Sequence, residues 1–174
     1  NWALNTEQQP ELAGRRGFQP RGRGLGGSSL INAMLYVRGH RADYDGWAEL
    51  GCDGWGWDDV LPVFREIEDH FLGETDMHGA GGEWRVEPPR GKWDILDAVR
   101  DAAEEMGIPK TADFNTCDNE GSSYFQVNQK SGRRWSAARG FLKPALRRPN
   151  LRVETGVLVD RLILEDGCAT QVEF

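Results

Sequence analysis

Residues 19–40 read QPRGRGLGGSSLINAMLYVRGH, and within them Gly22-Arg23-Gly24-Leu25-Gly26-Gly27 has the spacing G-x-G-x-x-G. Glycines so placed let a ligand approach the backbone closely, and Ser28 and Ser29 follow where helix N-caps belong. The combination suits an anion or the polar edge of a cofactor, because the first amides of a helix are unpaired donors at the positive end of its dipole. Asn32 adds a polar amide one turn into an otherwise apolar run, where burial would oblige it to find partners in the interior or on a ligand. As the primary fingerprint of a dinucleotide-binding domain the motif lacks its strand. RRGFQPRG brings arginines and a proline where Val/Ile alternation is required, and Asp43 and Asp45, near the acid position about 20 residues on, sit in no buried strand. The plainer reading, in which Gly26 and Gly27 permit a tight turn and Ser28 caps, stands beside the ligand reading.

Other chemistries find less support. There is no G-x-S-x-G elbow and no Walker lysine, and His40, His70 and His78 have no H-E-x-x-H spacing. Asp76 and His78 joining His70 is a metal alternative that this spacing does not favour, so no metal is expected. Ser136, after Arg133 and Arg134, reads as a helix cap, and Trp47, Trp55 and Trp57 as packing residues. The Arg/Gly-rich segment 14–27, with Phe18 as a stacking residue, is the basis for an alternative, an Arg/Gly-type single-stranded RNA binder. The formal net charge of −7, from 21 Lys and Arg against 28 Asp and Glu, weighs against it and against anionic membranes. Small molecules are the expected partners and nucleic acid is not.

The chain has 174 residues, 39% of them hydrophobic and 28% charged, which describes a globular protein with room for one core. Its three cysteines, Cys52, Cys117 and Cys168, are far apart and lack metal-type spacing, which suits a reducing compartment. No apolar run reaches membrane-spanning length.

The elements that must position these residues follow from periodicity. Leu30, Ile31, Ala33, Met34, Leu35 and Val37 cover nearly the whole circumference of a helix, which predicts a buried helix after Ser28 and Ser29, ended by Gly39. RADYDGWAEL predicts a second helix stopped by Gly51. WDDVLPVFREIEDHF predicts a third, with Asp58 as cap, Pro62 in the first turn, and Val60, Leu61, Phe64, Ile67 and Phe71 on one face. EWRVEP alternates like a strand, and WDILDAVRDAAEEMG is an amphipathic helix ending at Gly107. SYFQVNQ reads as a strand, KSGRR as a turn and SAARGFLKPAL as a short helix. The last stretch, 151–174, holds three strand-like runs parted by Gly156 and EDG.

The run Gly22-Arg23-x-Leu25-Gly26-Gly27-Ser28-Ser29-x-Ile31-Asn32-x-x-x-Tyr36-x-x-Gly39-x-x-x-x-x-Asp45 resembles the first signature of the glucose-methanol-choline (GMC) oxidoreductases. NW at the start, GWGWDDVLPVF, HGAGGEWRV, DFNTCDNEG, GRRWSAARGFL and RPNLRVETGVLVDRLIL are similar to the same family, in family order along the chain. The resemblance implies an α+β or α/β fold: a fragment of a GMC-type FAD-binding domain, like para-hydroxybenzoate hydroxylase, with part of the substrate-binding domain. The implied divisions are 1–72 (FAD-binding domain, signature segment), 73–147 (part of the substrate-binding domain) and 148–174 (returning FAD-binding segment).

The implied activity is FAD-dependent oxidation of a small-molecule alcohol to an aldehyde or ketone, by hydride transfer to flavin N5, with dehydrogenase preferred over oxidase. Gly26 and Ser28 would lie along the cofactor, Asn32 and Ala33 near the reactive edge of the isoalloxazine, Met34 and Leu35 beside it, and Val159 at the adenine. Family members with covalent flavin carry His before the signature Asn; here Ile31 stands there, so the FAD is expected to be non-covalent. In the family the primary fingerprint lies upstream and the catalytic His downstream, so the chain is expected to be an internal fragment, inactive alone, whose own histidines are not the base. The expected location is the cytoplasm, free or at the periphery of the inner membrane. A non-catalytic binding module derived from a flavoenzyme is the remaining alternative.

Overall fold

The computed structural model describes residues 1–116 and 118–174; Cys117 lies outside them. The chain divides into two compact units, Asn1–Pro144 and Ala145–Phe174.

In the first unit, β1 (Leu4–Asn5) pairs antiparallel with β2 (Phe18–Gln19) and brings the N-terminal segment beside the glycine-rich loop. Helix α1 (Arg41–Glu49) starts on a cap the sequence did not suggest: the Ala42 amide donates to His40 Nδ1 at 3.1 Å, while Asp43 Oδ2 accepts from the His40 amide at 2.7 Å. Helix α2 (Trp57–Ile67) begins after Gly56 rather than at Asp58, and Asp59 Oδ2 accepts from the Gly56 amide. Pro62 is therefore its sixth residue and not in its first turn. Tyr44 ties the two helices together, with ring centroids 5.6 Å from Trp57 and 5.9 Å from Phe64.

Helix α2 stops at Ile67, short of the expected Phe71, because Glu68–His70 forms β3, parallel to β4 (Trp84–Val86). The glycine-rich connection between them folds back tightly: a Cβ on Gly79 would lie 1.7 Å from the Arg65 carbonyl oxygen, and one on Gly82 2.3 Å from the Ile67 carbonyl carbon. No other residue type fits either place. Helix α3 (Asp94–Glu105) and its stop at Gly107 (φ 89°) match the sequence reading. β5 (Gln129–Lys130) and β6 (Arg133–Arg134) form a hairpin through Ser131 and Gly132, both with positive φ. Residues 138–142 wind as a π-helical turn continuing into α4 (Lys143–Ala145).

The expected buried helix after Ser28 is absent. Gly27–Leu30 makes one 3-10 turn, after which the chain extends, with Met34 at φ 63°. Long-range pairing takes the backbone away from the helix: the Tyr36 amide donates to Gln126 O at 2.9 Å and the Asn128 amide to Met34 O at 2.8 Å. Locally, Asn32 Oδ1 accepts from the Met34 amide, the side-chain competition that ends helices. Leu30, Ile31, Leu35 and Val37 are exposed, contrary to the expected burial. The interior of this unit is unusually polar: Arg38, Glu68, His70, His78, Asn115, Gln126 and Asn128 are buried alongside Tyr44, Trp57, Val86 and Val127.

The second unit is a hairpin of β7 (Arg161–Glu165) and β8 (Cys168–Glu173), turned at Asp166-Gly167 and carrying a bulge at Ile163/Leu164. Two strands form here instead of three, since residues 151–159 stay outside the sheet.

Candidate functional site

The signature segment is a closely packed, partly exposed turn. A Cβ on Gly22 would lie 2.0 Å from the Gly27 carbonyl oxygen, so the two limbs of the loop touch, and the Gly22 amide donates to Ser28 Oγ at 3.2 Å. Gly26 takes φ 103°, which a side chain would strain, and it packs 3.2 Å from Ala138 as measured from a built Cβ. Ser29 Oγ accepts from the Ala137 amide at 2.9 Å, so Ser29 rather than Ser136 meets the start of the π-helical turn. The four-residue 3-10 turn carries little macrodipole, which removes the helix-dipole part of the anion argument.

Asn32 is exposed, not buried, and its Oδ1 accepts from Arg134 Nη1 at 2.6 Å; the same nitrogen donates to Ser29 O at 3.2 Å. Arg134 is a residue that motif reading missed. It belongs to a basic stretch, Lys130, Arg133, Arg134, Arg139 and Lys143, with no acidic residue between Gly121 and Pro144. Arg23, whose guanidinium lies 4.7 Å from the Trp2 ring centroid, adds positive charge to the loop itself. Beside Leu35 a cavity of about 530 Å³ opens, lined among others by Trp93, Tyr124, Phe125 and Val127. Gly26, Ser28, Asn32, Ala33, Met34 and Leu35 thus lie on one continuous segment. Val159 is exposed in the second unit, in the stretch before β7.

Behind the segment lies a cluster of buried charges. Arg38 Nη2 is 3.0 Å from Glu68 Oε2, with side chains 2% and 0% exposed. His78 stands between two carboxylates: Nδ1 is 3.0 Å from Glu68 Oε2 and Nε2 is 2.8 Å from Asp113 Oδ2. Burial disfavours the His78 cation, but the bonds to Asp113 and Glu68 outweigh it and raise its pKa to about 9. Burial likewise pushes the Asp113 carboxyl up, and is outweighed by His78, the Asn115 amide and Gln126, which bring it to about 2. Glu68 is held below its ordinary value against the same opposition, by His78, Arg38 and the Gly79 amide. His70, stacked on His78 with centroids 3.8 Å apart, is lowered by burial and by that neighbouring charge.

Ring nitrogens of His70 and His78 and an Asp113 oxygen lie within 4.8 Å of one another. Each already has a partner, since Gln126 joins His70 at 3.3 Å and Asp113 at 2.9 Å. The arrangement is an ion and hydrogen-bond network in which Asp113, not Asp76, accompanies the two histidines.

The GMC oxidoreductase family model matches residues 8–174, and the chain belongs to that family. It is 42% identical over 176 residues to the oxygen-dependent choline dehydrogenase of Brucella anthropi, covering 100% of this chain and 32% of that protein. To the human mitochondrial choline dehydrogenase it is 41% identical over 174 residues, covering 100% of this chain and 29% of that protein. Among solved structures, pyridoxine 4-oxidase from Mesorbium loti superposes with TM-score 0.89 at 38% identity, over 98% of this chain and 34% of that one. An FAD-dependent oxidoreductase from Chaetomium thermophilum gives TM-score 0.87 at 26% identity, over 97% and 31%. The chain spans about a third of the length of these relatives. The fold is that of a GMC-type FAD-binding domain fragment, mixed in helix and strand.

Proposed function

We propose that this chain forms one wall of the flavin site of an FAD-dependent alcohol dehydrogenase or oxidase. Gly26 and Ser28 line the cofactor, Asn32 and Ala33 face the reactive edge of the isoalloxazine, Met34 and Leu35 lie beside it, and Val159 meets the adenine. The divisions 1–72, 73–147 and 148–174 serve as signature segment, substrate-domain part and returning segment.

The observation that carries the reading is the partly exposed course of residues 26–35, held by hydrogen bonds to Ala137 and Arg134, with Gly26 bare of a side chain and Asn32 bonded to Arg134. Fit to FAD rests on three features of that surface. Close-packed glycines let a ligand reach the backbone, Arg23 and Arg134 suit a diphosphate, and the apolar cavity beside Leu35 offers a dry wall to a ring system. Bound FAD would supply the two-electron oxidation of a CH–OH group to a carbonyl. This chain's residues bind and orient; His40 caps α1, and His70 and His78 belong to the buried network, so the proton acceptor comes from elsewhere in the intact protein.

With Ile31 before Asn32, the FAD is dissociable. The relatives named for choline and pyridoxine support a small alcohol, and the choline dehydrogenases support the preference for dehydrogenase over oxidase. Among the described residues no helix is long and apolar enough to cross a membrane, and the cytoplasm, free or at the inner-membrane periphery, is the location this reading carries. The test is acid denaturation of the intact protein. FAD released into the supernatant is the expected result, and protein without flavin in supernatant or pellet refutes the reading.

A further inference from the structure

We infer that the buried cluster Arg38–Glu68–His78–Asp113 positions the segment 32–38, and that His78, held between its two carboxylates, is the residue on which that positioning turns. The inference deepens the functional reading and rests on it for the claim that residues 32–35 face the cofactor.

The connection runs through bonds at successive points of the segment. Asp113 Oδ1 accepts from the Asn115 amide at 2.7 Å. Asn115 Oδ1 then accepts from the Arg38 amide at 2.8 Å, and Asn115 Nδ2 donates to Tyr36 O at 3.2 Å. Asp113 Oδ2 accepts from Gln126 Nε2 at 2.9 Å, and Gln126 O receives the Tyr36 amide. At the far end of the segment the Arg38 guanidinium pairs with Glu68 and donates to Met77 O. Three backbone groups of Tyr36 and Arg38 are therefore held by Asn115 and Gln126, the two residues that Asp113 bonds. Asn128, two residues beyond Gln126, holds Met34 O.

The charges close on themselves. Arg38 and a protonated His78 balance Glu68 and Asp113, and a neutral imidazole would donate to only one of the two carboxylates. The groups facing His78 are Glu68 and His70 from β3 and Asp113 from the 113–115 loop. Beyond Glu68 stand Arg38, which pairs with it, and Tyr36, whose Oη accepts from Arg38 Nε at 3.2 Å. Removing the imidazolium leaves Glu68 with Arg38 and the half-buried Asp113 with no cationic partner among the groups bonded to it, which a low-dielectric site tolerates poorly.

The experiment compares the intact natural protein with His78→Gln by amide hydrogen exchange and by visible flavin circular dichroism. Exchange at Tyr36 and Arg38 should be at least about tenfold faster in the variant while α1 amides are unchanged, with an altered flavin signal and a fall in kcat larger than any change in KM. Unchanged exchange at Tyr36 and Arg38 overturns the inference, and so does faster exchange with an unchanged flavin signal. If His78→Gln does not fold, the natural protein decides. Its exchange at these two amides, corrected for intrinsic rate, should rise between pH 7 and pH 10, and equal protection at both overturns the inference. A natural protein that holds no flavin would refute the functional reading, and the exchange result would still decide whether the cluster holds the segment.

Discussion

Arg134 Nη1 lies 2.6 Å from Asn32 Oδ1, a bond that joins residues 102 positions apart and fixes the tip of the signature segment against the β5–β6 hairpin. Arg134 thereby has two tasks, orienting Asn32 and placing positive charge beside the glycine loop. Arg134→Met in the intact protein should weaken FAD affinity by about tenfold while lowering Tm by only a few degrees, since the bond is exposed. Flavin titration with a thermal scan checks both.

The loop's glycines divide by what surrounds them. Gly22→Ala places a methyl 2.0 Å from the Gly27 carbonyl oxygen and must displace backbone, so a loss of about 3 kcal/mol or more is expected. Gly27→Ala meets no atom within 4 Å and bears only its φ of 54°, for a loss of about 1 kcal/mol. Denaturant unfolding of the two variants should rank them in that order.

The charge cluster sets a pH window. The His78 pKa is raised from 6.5 to about 9, so its stabilisation is fully present below pH 6.5 and fades as pH rises through 9. The Asp113 pKa is lowered from 3.8 to about 2, so its contribution is present above pH 3.8 and fades as pH falls through 2. His70, lowered from 6.5, acts in the opposite sense, its contribution being present above pH 6.5 and lost as pH falls. Tm should therefore be highest near pH 6.5, falling on the acid side as His70 and then Asp113 gain protons and on the alkaline side as His78 loses one, and His78→Gln should flatten the alkaline limb.

Within the cluster, Glu68→Gln leaves Arg38 and His78 facing one carboxylate in a fully buried place. A loss of about 3–5 kcal/mol is expected. Because the Gly79 amide also bonds Glu68, the connection after β3 should loosen with it, visible as faster proteolysis near residues 73–82.

Helices α1 and α3 were legible because each carries its own periodicity and stop, Gly51 and Gly107; α2 was legible in its periodicity but not in its ends, since it starts after Gly56 and gives way to β3 at Glu68. The signature glycines were legible because their spacing is a local property of the chain. The segment after Ser28 misled: its apolar circumference argued for a buried helix, whereas pairing of Met34 and Tyr36 with Asn128 and Gln126 draws it into extended backbone. No window of sequence contains that pairing. The charge cluster was equally hidden, since Arg38, Glu68, His78 and Asp113 come from four separated stretches. The sequence offers His70 and His78 together only with Asp76 in place of Asp113, and the close approach of Gly79 and Gly82 to the end of α2, which brings His78 back over Glu68, shows only in the fold.

The central claim, that residues 26–35 wall a flavin, is tested most directly by flavin content per chain in the intact protein with Asn32→Trp. Asn32 is exposed and its two side-chain bonds are local to the segment and to Arg134, so the rest of the fold should stand, and a folded variant that has lost most of its FAD is the result this account expects. A folded variant with the natural protein's flavin content and rate would contradict it.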